Sequence, residues 1–193
     1  MSRPLEPVTF LLSETDPRKL PACAAEVTFV GRSNVGKSTL LNSVCRKDVA
    51  RVSNTPGRTR TINVFSAGQG WLVDLPGYGF AHGPASERDT WGGMIEAYLT
   101  GRPGLRMGFV LIDAKVGPTK LDLQMLRWLE AAKLPWTVVA TKADQVRPSK
   151  AAAQRREAAQ AMGLAPEELG WVSALKGLGI NELRGAVAAL LTL

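Results

Sequence analysis

Two glycines with four residues between them, followed at once by lysine and serine, form the run Gly31-Arg32-Ser33-Asn34-Val35-Gly36-Lys37-Ser38, with Thr39 extending it. Residue types at this spacing can hold phosphate. Glycine lets the main chain turn back and approach phosphate oxygens closely. Successive N–H groups at a helix start then point at negative charge. The Lys37 ammonium can reach β- and γ-phosphates, and the Ser38 hydroxyl can face Mg²⁺. A glycine-rich turn with an incidental lysine is the bland alternative. The run stands between a β-rich stretch, Val27–Val30, and a helix-prone one, Lys37–Arg46. That is the context the phosphate loop requires.

Three further clusters decide which nucleotide is meant. Asp74-Leu75-Pro76-Gly77 ends an apolar run. An Asp there can hold Mg²⁺ through water, and the Gly77 N–H can bond a γ-phosphate oxygen and so sense it. Thr141-Lys142-Ala143-Asp144 ends another apolar run. A carboxylate at Asp144 can accept from the N1–H and 2-amino group of guanine, a donor pair that adenine lacks. Lys142 can lie over the base and tie back to the phosphate loop. Ser173-Ala174-Leu175-Lys176 follows the last short apolar run, where main-chain N–H groups can meet guanine O6. Each cluster alone reads as an ordinary loop. Together, in this order, they point to GTP.

These residues need strands and helices to position them. The pattern alternates: strands at Val27–Val30, Ile62–Ser66, Trp71–Asp74, Gly108–Asp113, Trp136–Ala140 and Gly170–Ser173, and helices at Lys37–Arg46, Ser86–Thr100, Ser149–Met162 and two more. Gly68-Gln69-Gly70 marks a turn between the second and third strands, which predicts a hairpin. Leu121, Met125, Trp128 and Ala132 share one helical face by their spacing, as do Ile180, Leu183, Val187 and Leu190. Such alternation implies an α/β fold, a mostly parallel sheet of six strands with helices on both faces. Residues 1–25 read as an N-terminal extension and 26–193 as the GTP-binding domain. Pro4, Pro7, Pro17 and Pro21 argue against a long helix in the extension, while Phe10-Leu11-Leu12 can pack as an edge or anchor.

The chain has 193 residues, 45% of them hydrophobic and 21% charged, the mix of a packed single domain rather than a disordered chain. It lacks the run of about 18 apolar residues that a membrane helix needs, and no secretory signal is visible. The cytoplasm and no membrane partner are expected. Cys23 and Cys45 make no disulfide framework or zinc site and read as free thiols. Lys and Arg number 24 against 17 Asp and Glu, a net charge of +7 that favours an anionic partner. Basic residues cluster at Arg46, Lys47, Arg51, Arg58 and Arg60, and again at Arg147, Lys150, Arg155 and Arg156. His82 and Glu87-Arg88-Asp89 read as solvated positions. Trp91, Trp128, Trp136 and Trp171 read mainly as core, with Trp71 partly exposed.

The phosphate run, Thr55-Pro56-Gly57-Arg58-Thr59-Arg60-Thr61-Ile62-Asn63, Asp74-Leu75-Pro76-Gly77-Tyr78-Gly79, Thr141-Lys142-Ala143-Asp144 and Val172-Ser173-Ala174 resemble, over residues 10–190, the EngB (YsxC/YihA) ribosome-biogenesis proteins among the Ras-like translational GTPases. The resemblance implies a three-layer Ras-like GTPase fold, GTP and GDP as ligands, and Mg²⁺ held by Ser38, Thr59 and Asp74. It implies that Gly57, Arg58, Thr59, Arg60 and Thr61 form a first switch around the nucleotide, Thr59 being the switch threonine and Thr55 and Thr61 its competitors. Lys37, Thr59 and Gly77 are the implied catalytic groups.

Ras-like enzymes place a water-orienting glutamine where this chain has Tyr78. Tyr78 cannot do that work, so slow intrinsic turnover with an external stimulus is expected. Asn34 corresponds to a phosphate-loop Asn that helps hold K⁺ in related GTPases. The implied partner is the large ribosomal subunit, through rRNA or ribosomal proteins, met during assembly by a monomer, with a downstream effect on cell division and septation. Two other readings stand beside this one. A pure binding module would use nucleotide only to stabilise its fold. A phosphotransferase would need an acceptor lid, and the guanine-reading Thr141–Asp144 run speaks against it.

Overall fold

Val27 and Phe29 point to one side of their strand and Val30 to the other, and all three are fully buried. A strand buried on both faces must lie inside a sheet covered twice. The computed structural model describes residues 5, 7–50, 61–78 and 85–192, the side chains of 85–91 excepted. The elements run β1 Val8–Glu14, β2 Glu26–Gly31, α1 Lys37–Cys45, β3 Ile62–Ala67, β4 Gly70–Asp74, α2 Ala85–Gly101, β5 Leu105–Asp113, α3 Lys120–Ala131, β6 Trp136–Thr141, α4 Pro148–Ala161, β7 Leu169–Trp171 and α5 Ile180–Leu190.

The sheet order is β1-β3-β4-β2-β5-β6-β7. β2 pairs in parallel with β4 and β5, and β6 in parallel with β5 and β7. The β3–β4 pair is the expected antiparallel hairpin, turning at Gly68 with φ +62°. The fold class is as the sequence indicates, but the sheet has seven strands rather than six. The extra strand is β1, whose Val8 to Glu14 pair antiparallel with Ala67 to Ile62. The prolines of this segment flank the strand and do not interrupt it. Phe10 meets Phe65 edge-on at 5.8 Å, the anchoring contact expected of Phe10-Leu11-Leu12.

Two cores lie on the two faces of the sheet. Leu40, Leu41 and Val44 of α1 with Leu183 and Val187 of α5 fill one. Ile95, Tyr98 and Leu99 of α2, Leu126 and Leu129 of α3 and Ala158 and Ala159 of α4 fill the other. The inward face of α3 differs from the expected one. The helix buries Asp122, Leu126 and Leu129, while Met125 and Trp128 are half-buried and Leu121 and Ala132 exposed. Its first turn is the cause: Asp122 closes a capping box with Thr119 and points inward. Trp128, Trp136 and Trp171 pack against the core but are half-buried, like Trp71, because an indole seldom disappears completely. The Trp91 side chain, His82 and Glu87-Arg88-Asp89 lie outside the described residues and side chains. Cys23 and Cys45 are both free, and burial pushes the Cys45 thiol up to about 12.

At the pole where β2 begins, Glu26 is fully buried. It accepts from Tyr98 Oη at 2.5 Å and from Arg102 Nε at 3.0 Å and Nη2 at 2.5 Å. Arg102 also donates to the Leu20 and Pro21 carbonyls, fastening the N-terminal extension to the end of α2. Among the described residues no helix is long and apolar enough to cross a membrane.

Candidate nucleotide site

The carboxyl ends of β2, β4, β6 and β7 carry the sequence-predicted residues to one end of the sheet, where parallel α/β sheets bind ligands. Gly31 ends β2 with no room for a side chain: a Cβ there would sit 2.9 Å from the Leu111 carbonyl oxygen and 3.0 Å from Val35 Cγ1. Asn34 at φ +63° and Gly36 at φ +96° take left-handed conformations, which bend the chain around into α1. α1 begins at Lys37, so the N–H groups of Lys37, Ser38 and Thr39 belong to a first turn that has no intrahelical acceptors for them. That is a seat for phosphate.

The second switch is joined to this seat. Tyr78 N–H donates to the Gly31 carbonyl at 3.2 Å, and Ser33 N–H donates to the Tyr78 carbonyl at 3.2 Å. Leu75 N–H donates to Phe29 O at 3.2 Å. Gly77 is pressed so closely that a Cβ would lie 3.0 Å from both Ser33 N and Ser33 Oγ. Lys37 Nζ donates to Asp74 Oδ1, and both side chains are buried. Lys37 and Asp74 are therefore paired beside the loop, and Gly77 lies against its Ser33.

The base-reading runs form the other half. Thr141 Oγ1 donates to the Val35 carbonyl at 2.5 Å or the Ile112 carbonyl at 3.0 Å. Lys142, at φ +57°, donates to the Asn34 carbonyl at 2.7 Å and to Asp113 Oδ2 at 2.9 Å. Ala143 N–H donates to Val172 O at 3.0 Å, which brings the runs at 141–144 and 172–174 side by side. Asp144 is exposed, and its Oδ1 accepts from the buried Ser173 hydroxyl at 2.5 Å. Ser173 N–H goes to Leu178 O and Lys176 N–H to Ser173 Oγ, so Ala174 is the better placed amide for guanine O6. Thr61 Oγ1 donates to Asn63 Oδ1 at 3.1 Å at the end of the first switch. Gly57, Arg58, Thr59 and Arg60 lie outside the described residues, as do Thr55, Arg51 and Gly79.

Three residues of this site escaped the sequence reading. Asp113 ends β5 as Asp74 ends β4, and that parallel was the available signal. Burial pushes its carboxyl up, but the Lys142 hydrogen bond and charge, with the Lys115 and Val116 N–H groups, outweigh burial and hold it below the ordinary value. Asn42 accepts from the N–H groups of Val49 and Ala50 at 3.0 and 2.7 Å and fixes the chain just ahead of the first switch. Asp122 accepts from the Tyr78 hydroxyl at 2.8 Å and Arg32 Nε at 3.2 Å. Thr119-x-x-Asp122 announces a helix cap but not these distant donors. The Arg32 side chain thus turns to Asp122, and its share in the phosphate loop is main chain. Burial, then the neighbouring Asp122 charge, drives the Tyr78 hydroxyl far above the usual phenol range, so it stays a donor.

Comparison with known proteins agrees with this arrangement. Residues 26–142 match the family of 50S ribosome-binding GTPases. The chain is 43% identical over 185 residues to the probable GTP-binding protein EngB of Geobacter sulfurreducens, covering 94% of this chain and 90% of that one. It is 46% identical over 180 residues to the probable EngB of Roseobacter denitrificans, covering 91% and 81%. A crystal structure of a probable GTP-binding protein EngB superposes with a TM-score of 0.70 over 86% of this chain and 98% of that one, at 21% identity, and shares the fold. With the phosphate loop, the Asp74–Tyr78 run and the runs at 141–144 and 172–174 meeting at one end of the sheet, the chain belongs to the EngB family of GTP-binding proteins and is a GTPase.

Proposed function

We propose that this GTPase is a nucleotide-dependent switch in assembly of the large ribosomal subunit, working in the cytoplasm as a monomer. Normal cell division and septation would depend on it through ribosome supply. The observation that carries the reading is the contact between Gly77 and Ser33, which sets the second switch directly against the phosphate seat. A γ-phosphate arriving there meets the Gly77 N–H, and its loss on hydrolysis frees that amide. The family description, 50S ribosome-binding GTPase, supports the choice of partner. So do two exposed basic groups, Arg46 and Lys47 after α1 and Arg147, Lys150 and Arg156 at and on α4, each suited to rRNA phosphates.

In the proposed reaction the loop N–H groups and Lys37 bind the triphosphate and stabilise charge on its β- and γ-oxygens. Asp144 selects guanine. Tyr78 spends its hydroxyl on Asp122, so it does not orient the attacking water, and turnover is slow until a partner supplies what is missing. Ser38 and Asp74 are hard oxygen donors beside the phosphate seat. One carboxylate and one hydroxyl suit Mg²⁺, which keeps several waters and shares phosphate oxygens. Ser38, Asp74 and Thr59 would hold it, and the ion would neutralise phosphate charge. Asn34, exposed on the lip of the loop, is the residue we assign to K⁺. Hydrolysis is expected to run faster in KCl than in NaCl, and equal rates would remove that role.

The test of the switch is sedimentation with large subunits in GDP and in a non-hydrolysable GTP analogue at two salt concentrations. Co-sedimentation in the analogue alone, weakening with salt, is expected. Equal sedimentation in both nucleotides would contradict the switch. Faster GTP turnover on adding large subunits separates it from a module that merely binds nucleotide.

A further inference from the structure

The two oxygens of Asp122 serve different parts of the molecule. Oδ2 accepts from Thr119 N–H at 2.7 Å, Thr119 Oγ1 at 2.8 Å and Arg32 Nε at 3.2 Å. Oδ1 accepts from the Tyr78 hydroxyl at 2.8 Å. The carboxylate is fully buried, and α3, which carries it, is capped by the same group. One side chain on α3 therefore grips the phosphate loop through Arg32 and the second switch through Tyr78. Hydrogen bonds to a buried carboxylate are among the strong ones, and burial removes the water that would otherwise compete.

Tyr78 follows Gly77 directly. Its main chain is bonded to Gly31 and Ser33, and its side chain to Asp122. With the main-chain pair alone, rotation about the bridge between Arg32 and Tyr78 would let the Gly77 amide tilt. The third attachment, at the far end of the phenol ring, removes that freedom. We propose that Asp122 is a positioning residue for the GTPase: by holding the Tyr78 hydroxyl it fixes the Gly77 N–H toward the γ-phosphate, and so raises the affinity for GTP relative to GDP. Tyr78, which stands where a water-orienting glutamine would, thereby has a task of its own. It holds Gly77 in place at the cost of the water-orienting role. The inference rests on the reading of Gly77 as the γ-phosphate sensor.

Tyr78→Phe is the discriminating variant, because it removes one hydroxyl and leaves the Thr119–Asp122 cap intact. Affinities for GDP and for a non-hydrolysable GTP analogue are measured by calorimetry, with a thermal melt of each protein. Tyr78→Phe is expected to keep GDP affinity within about twofold and to weaken the GTP analogue about tenfold, the scale of one buried hydrogen bond. Asp122→Asn with Tyr78 intact, whose amide can donate to the Tyr78 oxygen, is expected to keep the ratio within about threefold of the wild-type value. An unchanged ratio in Tyr78→Phe, or an equal loss for both nucleotides, would overturn the proposal and leave the bond a structural one. A ratio left unchanged in Gly77→Ala as well would overturn the sensor reading and this proposal together.

Discussion

Asp144 Oδ1 already accepts from the Ser173 hydroxyl at 2.5 Å, and a carboxylate oxygen has a second lone pair to offer. Ser173 therefore aims the group without using up its capacity for guanine. Asp144→Asn turns the acceptor facing the guanine 2-amino group into a donor, and the matching base becomes xanthine, whose 2-oxygen accepts while its N1–H still donates to the remaining amide oxygen. GTP affinity is expected to fall by about a hundredfold or more while xanthosine triphosphate gains, because a buried donor or acceptor left unpaired is the strongest source of discrimination. Calorimetry with both nucleotides checks this, and an undiminished preference for guanosine would remove Asp144 from base reading. Gly77 is the second residue with a sharp expectation. A Cβ would meet Ser33 N and Oγ at 3.0 Å, and the first of these is main chain that cannot swing aside. Gly77→Ala should lower kcat/KM for GTP by roughly tenfold or more, with a smaller loss of GDP binding, since it displaces the amide assigned to the γ-phosphate as well as pressing on Ser33 of the loop.

Among the elements, α2 and the N-terminal extension share one fastening, the Glu26–Arg102 pair, whose side chains are 0% and 8% exposed. Removing the cation would leave a buried carboxylate with Tyr98 as its remaining partner of those described. Arg102→Ala is therefore expected to cost about 3–5 kcal/mol, read as the shift of a urea unfolding midpoint. The opposite change, Glu26→Gln, keeps an acceptor for Arg102 and should cost less. At this scale the sequence was most readable where the signal is local. The spacing around Gly31 and Gly36, the Gly68–Gly70 turn and the apolar runs of β2, β5 and β6 all lie within one element or its turn. β1 was foreseen only as an edge or anchor, because its pairing with β3 depends on residues about 50 positions away. The inward face of α3 was misjudged for the same reason. Apolar spacing favoured Leu121 and Met125, but Asp122 answers to donors 90 and 44 positions away.

For the whole molecule, acid is the informative stress. Among the described residues, three carboxyls are held below their ordinary values: Asp113, by Lys142 and two N–H groups against burial; Asp16, at about 2, by Arg18; and Glu14, by the N–H groups of Asp16 and Thr15. A carboxyl depressed in the folded state adds stability that is present above its unfolded pKa of about 4 and is lost as pH falls through the folded value. Thermal stability is expected to drop below about pH 4 and to drop less steeply in Asp113→Asn. A pH profile parallel to wild type would show that Asp113 contributes nothing to it. Asp113 and Asp122, the residues that join elements, were the least legible in the sequence, because a carboxylate's partners are set by the packing of the whole sheet edge.

The Lys142 ammonium bonded to the Asn34 carbonyl has a consequence for how errors are felt. On the proposed reading of the site, it makes the purine end and the phosphate end one mechanical piece. A mismatched heterocycle that nudges Lys142 pulls on the curl of backbone seating the other extremity of the ligand. Wrong nucleotides should then betray themselves by quick departure rather than slow arrival, since the seat loosens only after they have sat down.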